Sequence, residues 1–263
     1  MDAGDKVLAR REGRIGTMTF NNPERHNAVS LEMWQAAARI LDDFARDAEI
    51  RAVVVAGAGG KAFVSGADIS KFDQERGTKE AVERYNAAAE AVYGGLASCP
   101  KPTIARIQGY CIGGGLNLAI CCDLRFCNEG ARFGLPAAKL GLGYGYAGLK
   151  RFIDTIGPAY TKDIFFSARQ FGADEALSMG LVNRVLPDSG LDAFVGEYAE
   201  SIAANAPLTV EAIKRISVEV LKPESERNLA AAAGLVARCF ASQDYIEGRK
   251  AFMEKRKPVF SGK

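Results

Sequence analysis

Up to Gly190, short apolar runs alternate along this chain with stretches in which apolar residues recur at helical spacing; beyond it, helical spacing alone remains. Val7–Leu8 and Ile15–Phe20, separated by Arg11-Glu-Gly-Arg14, read as a β-hairpin. Asn21-Asn-Pro-Glu-Arg-His-Asn27 is a turn-rich loop. Ser30 offers a hydroxyl to cap a helix whose apolar face runs Leu31, Trp34, Ala38, Leu41 and Phe44. Val53-Val-Val-Ala56 is a short buried strand, followed by the loop Gly57-Ala-Gly-Gly-Lys-Ala-Phe-Val-Ser-Gly-Ala-Asp68 and a helix over 79–97. Pro100 and Pro102 introduce the strand Thr103–Ile107. A glycine-rich turn, a helix from about 114 to 121 and the strand Asp123–Cys127 come next. Strands alternating with helices predict an α/β core.

After Gly190 the helical pattern falls in 192–204, 208–221, 227–240 and 243–254, with Pro207 and Pro223 as breaks. A helical tail of roughly sixty residues is too thin to bury a core of its own. It is expected to pack on the core and on another subunit. The division expected from this change is a core over 1–195 and an oligomerisation region over 196–263.

The composition adds limits. A chain of 263 residues is enough for one large domain or a domain with an appendage. Hydrophobic residues at 48% and charged residues at 25% are those of a soluble globular protein. A net charge of +2 gives no case for nucleic acid or a membrane surface as the main ligand. Met1-Asp-Ala-Gly-Asp-Lys-Val lacks the apolar core of a signal peptide, and no apolar run is long enough to cross a bilayer. Six cysteines without CxxC spacing, beside a single histidine, predict no metal site. Their apolar neighbours predict reduced, buried thiols in a cytoplasmic protein.

Two glycine-bearing loops carry the candidate chemistry: Ser65-Gly-Ala-Asp68 and Gly113-Gly-Gly115. Each follows an apolar strand and precedes an expected helix, so each can leave a backbone N–H free at the positive end of that helix. Two such groups converging on one carbonyl oxygen make an oxyanion hole. Either loop alone favours the reading as a tight turn; the pair, in this order and context, favours the chemical reading.

Around these loops the chain resembles the enoyl-CoA hydratase/isomerase (crotonase) superfamily over essentially its whole length. The matching pieces are Asn22-Pro with Asn27-Ala28, Lys61-Ala-Phe-Val-Ser-Gly-Ala-Asp-Ile69, Gln108-Gly-Tyr-Cys-Ile-Gly-Gly-Gly115, Cys122-Asp123, Phe133-Gly-Leu-Pro136, Leu140-Gly141, Ala176-Leu-Ser-Met-Gly-Leu-Val-Asn183 and Glu247-Gly-Arg-Lys-Ala-Phe-Met-Glu-Lys-Arg256. The resemblance implies a crotonase-type ββα spiral core with a C-terminal helical trimerisation region. It also implies a homotrimer or a dimer of trimers, and an acyl-CoA thioester substrate activated as an enolate. No cofactor beyond the CoA moiety of that substrate is implied. The family's oxyanion donors fall on the backbone N–H of Ala67 and Gly114. Its CoA contacts fall on the loop from Arg25 to Ala28, on Ala67, Asp68 and Ile69, and on Phe252 and Lys255, the last two toward CoA in a neighbouring subunit. Lys61 is a candidate phosphate partner. For Lys255 the plainer reading is a solvated charged face within Glu254-Lys-Arg-Lys257.

The chain departs from the family at the acids. The family's hydratases use two glutamates as acid and base; here the corresponding positions are Asn117 and Ala137. Asn forms hydrogen bonds but exchanges no proton near neutral pH. The segment Leu140-Gly-Leu-Gly-Tyr-Gly-Tyr-Ala-Gly148 puts Tyr144 where the family has a proline. Tyr144 either orients a carboxylate or carbonyl, or walls the acyl pocket with Tyr146. Asp68 and Asp123 read as structural, and His26 as near the CoA entrance. Cys111 has no charge nearby to activate it. Asp73 and Glu75 are loop acids able to swing toward the acyl end. The favoured expectation is decarboxylation of a malonyl-type acyl-CoA, with Tyr144 and Asn117 orienting the leaving carboxylate. The alternatives are a hydratase or double-bond isomerase with a relocated acid, and a non-catalytic acyl-CoA-binding subunit.

Overall fold

The computed structural model describes residues 6–263; the reading of the first five residues as free of an apolar leader lies outside the described residues. β1 (Val7–Glu12) and β2 (Ile15–Phe20) form the expected hairpin, antiparallel with Val7 opposite Phe20. Gly13, at φ 55, takes the left-handed turn between them. α1 (Leu31–Arg46) is capped by Ser30, whose side chain accepts from Met33 N–H. Its apolar face buries Met33, Trp34, Leu41 and Phe44.

The larger sheet has six strands in the order β1-β2-β3-β5-β7-β10. β3 spans Ala52–Gly57, β5 Thr103–Ile107, β7 Leu124–Asn128 and β10 Arg184–Leu186. All pairs beyond the hairpin are parallel. β3 is buried throughout because it is covered on both faces. Val53 and Val55 face the main core, while Ala52 and Val54 face the outer layer. That layer is α7 (Leu191–Ala204), which lays Leu191, Val195 and Ala199 against Val54, Ile104 and Phe126. The expected boundary between 195 and 196 therefore falls inside one helix of the sheet's outer layer.

A second sheet, in the order β4-β6-β8-β9, uses three-residue strands: β4 (Ala62–Val64), β6 (Tyr110–Ile112), β8 (Arg132–Gly134) and β9 (Gln170–Gly172). The helices that follow in the core are α2 (Phe72–Arg76), α3 (Lys79–Ser98), α4 (Gly114–Ile120), α5 (Tyr146–Ser167) and α6 (Ala173–Ser178). α5 kinks at Gly157, ahead of Pro158. The C-terminal helices are α8 (Pro207–Val220), α9 (Leu229–Phe240) and α10 (Gln243–Met253), close to the sequence expectation. α9 buries none of its residues although its sequence, LAAAAGLVARCF, is strongly apolar. Among the described residues no helix is long and apolar enough to cross a membrane.

Asp123 has the structural role expected of it. Its carboxylate accepts from Thr103 N–H at 2.7 Å and from the Thr103 hydroxyl at 2.9 Å, and pairs with Lys214 of α8 at 2.7 Å. It ties two strands and the C-terminal helices together from the position just before β7. All six cysteines are free; five are buried and Cys239 is half-buried.

The first turn of α4 packs tightly on β4 of the small sheet. A Cβ on Gly115 would lie 2.0 Å from the Val64 carbonyl oxygen, which is backbone and cannot yield. Gly115→Ala is expected to destabilise the protein by about 1–3 kcal/mol, read as a lower denaturant midpoint at unchanged m-value. Unchanged stability would show that α4 and β4 do not need this approach.

Candidate active site

Both glycine-bearing loops open directly off strands of the small sheet. After β4, Gly66 adopts φ +108, a conformation that excludes a side chain. Val29 N–H donates to Gly66 O at 2.8 Å, and Asp68 N–H donates to Val29 O at 3.1 Å. These bonds straddle Ala67, which pairs with Val29 in an isolated parallel bridge. Among the described residues, Ala67 N–H itself has no acceptor. After β6, Gly113 turns at φ 56 and donates to Gly134 O at 2.9 Å. Gly114 is the first residue of α4, so its N–H has no intrahelical acceptor and finds no other among the described residues.

The loops meet at their glycines. A Cβ on Gly66 would lie 3.9 Å from Gly114 N, and one on Gly114 would lie 4.0 Å from the Gly66 Cα. Ala67 and Gly114 are both half-buried, so a ligand can reach them. Two unpaired amides on adjoining loops are an arrangement able to polarise a carbonyl oxygen.

The side chains at positions 117, 137 and 144 are neutral. Asn117, one turn along α4, is buried, and its Oδ1 has no hydrogen-bond partner. Ala137 follows Pro136, whose ring packs 3.9 Å from the Cβ position of Gly113. Tyr144 turns inward, with its ring 4.7 Å from Phe165 and 6.5 Å from Phe152, both edge-on. Burial pushes its phenol well above the ordinary tyrosine range and holds it protonated. Tyr146 is instead 82% exposed, which leaves Tyr144 alone as the inward-facing tyrosine of this segment.

The carboxylates named from the sequence are engaged elsewhere. Asp68 caps the turn at Ile69–Lys71, accepting from Ser70 N–H at 3.1 Å and from Arg25 at 3.0 Å. Burial works to raise its carboxyl, but the hydrogen bonds from Ser70 and Arg25 outweigh it and hold the group below the usual range. Glu75 accepts from Leu31 N–H at 3.0 Å and so joins Ser30 in capping α1. Burial raises its carboxyl, partly offset by Leu31 and Lys71. The side chain of Asp73 lies outside the described positions. Burial pushes the Cys111 thiol far up, in line with an inert residue.

A family model described as enoyl-CoA hydratase/isomerase matches residues 10–263. The chain belongs to that family. It is 34% identical to the short-chain-enoyl-CoA hydratase of Clostridium acetobutylicum, with 96% of each chain covered. It is also 34% identical to the crotonyl-CoA hydratase of Syntrophomonas wolfei, over 99% of this chain and 100% of the other. A solved enoyl-CoA hydratase/carnithine racemase from Magnetospirillum magneticum superposes with a TM-score of 0.93 at 39% identity, over 98% of this chain and 96% of that one. The mixed α/β architecture is thus the crotonase fold. The relatives' names are those of hydratases, and none of these three is a decarboxylase.

The family's CoA positions separate into two places in this chain. Arg25, Ala28, Asp68 and Ile69 surround the first loop: Arg25 is ion-paired to Asp68, Ala28 is buried and Ile69 is 74% exposed. Asn27 locks this corner at φ 55, donating to Ala58 O and Ala62 O and accepting from Asn22 N–H. His26 lies edge-on to Tyr110 at 5.8 Å, on the exposed side of that corner. Lys61 is exposed nearby in sequence, just before β4. Phe252, 83% exposed, and Lys255, at φ 53, stand at the end of α10 with no hydrogen bond or ion pair to the loops. Phe252 borders an apolar groove of about 630 Å³ between α8, α9 and α10.

Sequence reasoning missed Tyr85 and Tyr93 of α3. Tyr85 O–H donates to Val29 O at 2.9 Å and Tyr93 O–H donates to Gly114 O at 3.2 Å. The signal was present: they are the only two aromatic residues in α3, and both fall on its buried face.

The depressed Asp68 carboxyl has a defined pH signature. Its contribution is full above the unfolded value of about 3.9 and is lost as pH falls through the lower folded value. The stability gap between the parent and Asp68→Asn is expected to be widest near neutral pH and to narrow below about pH 4. Urea midpoints at neutral and acid pH would check this, and an equal gap at both would overturn it.

Proposed function

We propose that this protein acts on an acyl-CoA thioester whose carbonyl oxygen sits between the Ala67 and Gly114 N–H groups. The reaction favoured is decarboxylation of a malonyl-type acyl-CoA. The observation that carries it is the absence of a free carboxylate at positions 117 and 137 beside an intact pair of unpaired amides. Removing an α C–H proton needs a base; losing carbon dioxide does not. The Cα–carboxylate bond breaks, its electron pair forms the thioester enolate, and carbon dioxide leaves neutral. Negative charge thereby moves from the substrate carboxylate to the oxygen facing the two amides, where it is stabilised. The enolate α-carbon then takes a proton from solvent.

The neutral side chains suit this course. Tyr144, held protonated by burial, is a donor able to orient the departing carboxylate. Asn117, unpaired on its oxygen side, can turn its amide toward the same group. Arg25, Ala28, Lys61, Asp68 and Ile69 line the CoA approach in this reading, with Phe252 and Lys255 serving CoA in a neighbouring subunit. The unburied apolar face of α9 supports a trimer or dimer of trimers.

Hydration or double-bond isomerisation is the second reading, favoured by the names of the relatives. It requires an acid from elsewhere. Glu75 is the described candidate, since burial already raises its carboxyl.

Incubation in heavy water with enoyl, 3-hydroxyacyl, malonyl-type and saturated acyl-CoA thioesters, read by mass spectrometry, separates these readings. Carbon dioxide loss with deuterium entering at the α-carbon is expected. Water addition to an enoyl thioester would overturn decarboxylation in favour of the second reading. Saturable binding without any conversion would point to a binding subunit. In the active case, Gly114→Val is expected to reduce turnover by at least ~100-fold. Tyr144→Phe is expected to reduce it ~10-fold or more; unchanged turnover would remove the hydroxyl from the mechanism.

A further inference from the structure

Both candidate amides are tied to one helix. Tyr85 and Tyr93 lie on the buried face of α3, 3% and 8% exposed. Eight residues of helix separate them by about 12 Å along the axis. A phenol has a single hydrogen, and each of these is spent on a backbone carbonyl of a different loop. Tyr85 donates to Val29 O, the same oxygen that accepts from Asp68 N–H, and Val29 N–H donates to Gly66 O. Ala67 lies inside that frame. Tyr93 donates directly to Gly114 O.

The two phenols are themselves held. Trp34 packs edge-on to Tyr93 at 5.3 Å and to Phe20 at 5.9 Å. The Arg76 guanidinium lies 4.2 Å over the Tyr85 ring. The Arg151 guanidinium lies 5.8 Å over Tyr93 and is fixed by a two-pronged ion pair to Glu90, also on α3. Burial keeps both phenols un-ionised and so able to donate.

We propose that Tyr85 and Tyr93 are positioning residues, through which α3 sets the separation and aim of the Ala67 and Gly114 N–H groups. Neither touches the thioester in this account; each acts through a carbonyl. The proposal rests on the reading of those two amides as the carbonyl-binding pair. Its physical basis is that stabilisation by an oxyanion hole depends on donor distances held within tenths of an ångström.

The test uses the full chain and butyryl-CoA labelled with carbon-13 at the thioester carbonyl, observed by infrared difference spectroscopy. In the parent, the bound carbonyl band is expected to shift to lower frequency than in free butyryl-CoA. Tyr93→Phe and Tyr85→Phe are each expected to lose at least half of that shift, with the dissociation constant changed by less than about threefold. Tyr160→Phe, at an exposed position of α5, is expected to leave the band in place. If either phenylalanine variant fails to fold, 3-fluorotyrosine installed at the same position, a stronger O–H donor, is expected to move the band further from its free value. A shifted parent band that neither tyrosine substitution alters would overturn the positioning role. An unshifted parent band would overturn the underlying reading of Ala67 and Gly114, a failure visible before any variant is made.

Discussion

Nothing larger than a hydrogen fits at Gly115, because the Val64 carbonyl oxygen stands 2.0 Å from where a Cβ would be. This close approach of helix to strand is what brings the end of β4 and the start of α4 into one place. Ala67 and Gly114 are 47 residues apart in the chain (114 − 67), yet their loops meet within about 4 Å at the neighbouring glycines. The long parallel sheet behind them, closed on its far side by α7, gives the small sheet a fixed support. The three-residue strands of the small sheet add little hydrogen bonding themselves; their task is to deliver loops.

Around that meeting point charge has been withdrawn. Each acid that sequence reasoning considered there, where its side chain is described, already serves a donor: Asp68 serves Arg25 and Ser70, Glu75 the start of α1, and Asp123 Thr103 and Lys214. The side chains at 117, 137 and 144 and the two phenols of α3 carry no charge. In such surroundings backbone dipoles are the main source of electrostatic stabilisation, and they cost no reorganisation when charge arrives. The proposed chemistry is compatible with this, since the two amides it assigns to the carbonyl oxygen are main-chain groups and survive any change at 117 or 137.

Much of the fold was legible locally. Alternation in Ile15–Phe20, the continuous run Val53–Ala56, the Ser30 cap and the helical spacing after Gly190 each predict the element that forms. The small sheet was not legible, because strands of three residues are too short to display a period. β7 starts one residue later than expected, since Asp123 is held outside the ladder by Thr103. Of the candidate site, the two loops could be read from their glycines and their context. Tyr85 and Tyr93 could be placed on the buried face of α3, but their partners could not be read, since the Val29 and Gly114 carbonyls are 56 and 21 residues away and main-chain atoms leave no mark in side-chain identity. Separation along the chain hid the side-chain pairing of Arg25 with Asp68, 43 residues apart.

Trp34 packs against Tyr93, its ring edge 3.8 Å from the Cβ position of Gly114, and it is the only tryptophan in the chain. The indole N–H is buried without a closed hydrogen bond. The protein therefore carries one tryptophan fluorophore, seated beside the second loop and excitable at the red edge of the absorption, where its eight tyrosines contribute little. Its emission is a local optical gauge of polarity and packing at that point, free of background from distant tryptophans, so occupancy of the site can be followed in the unmodified protein.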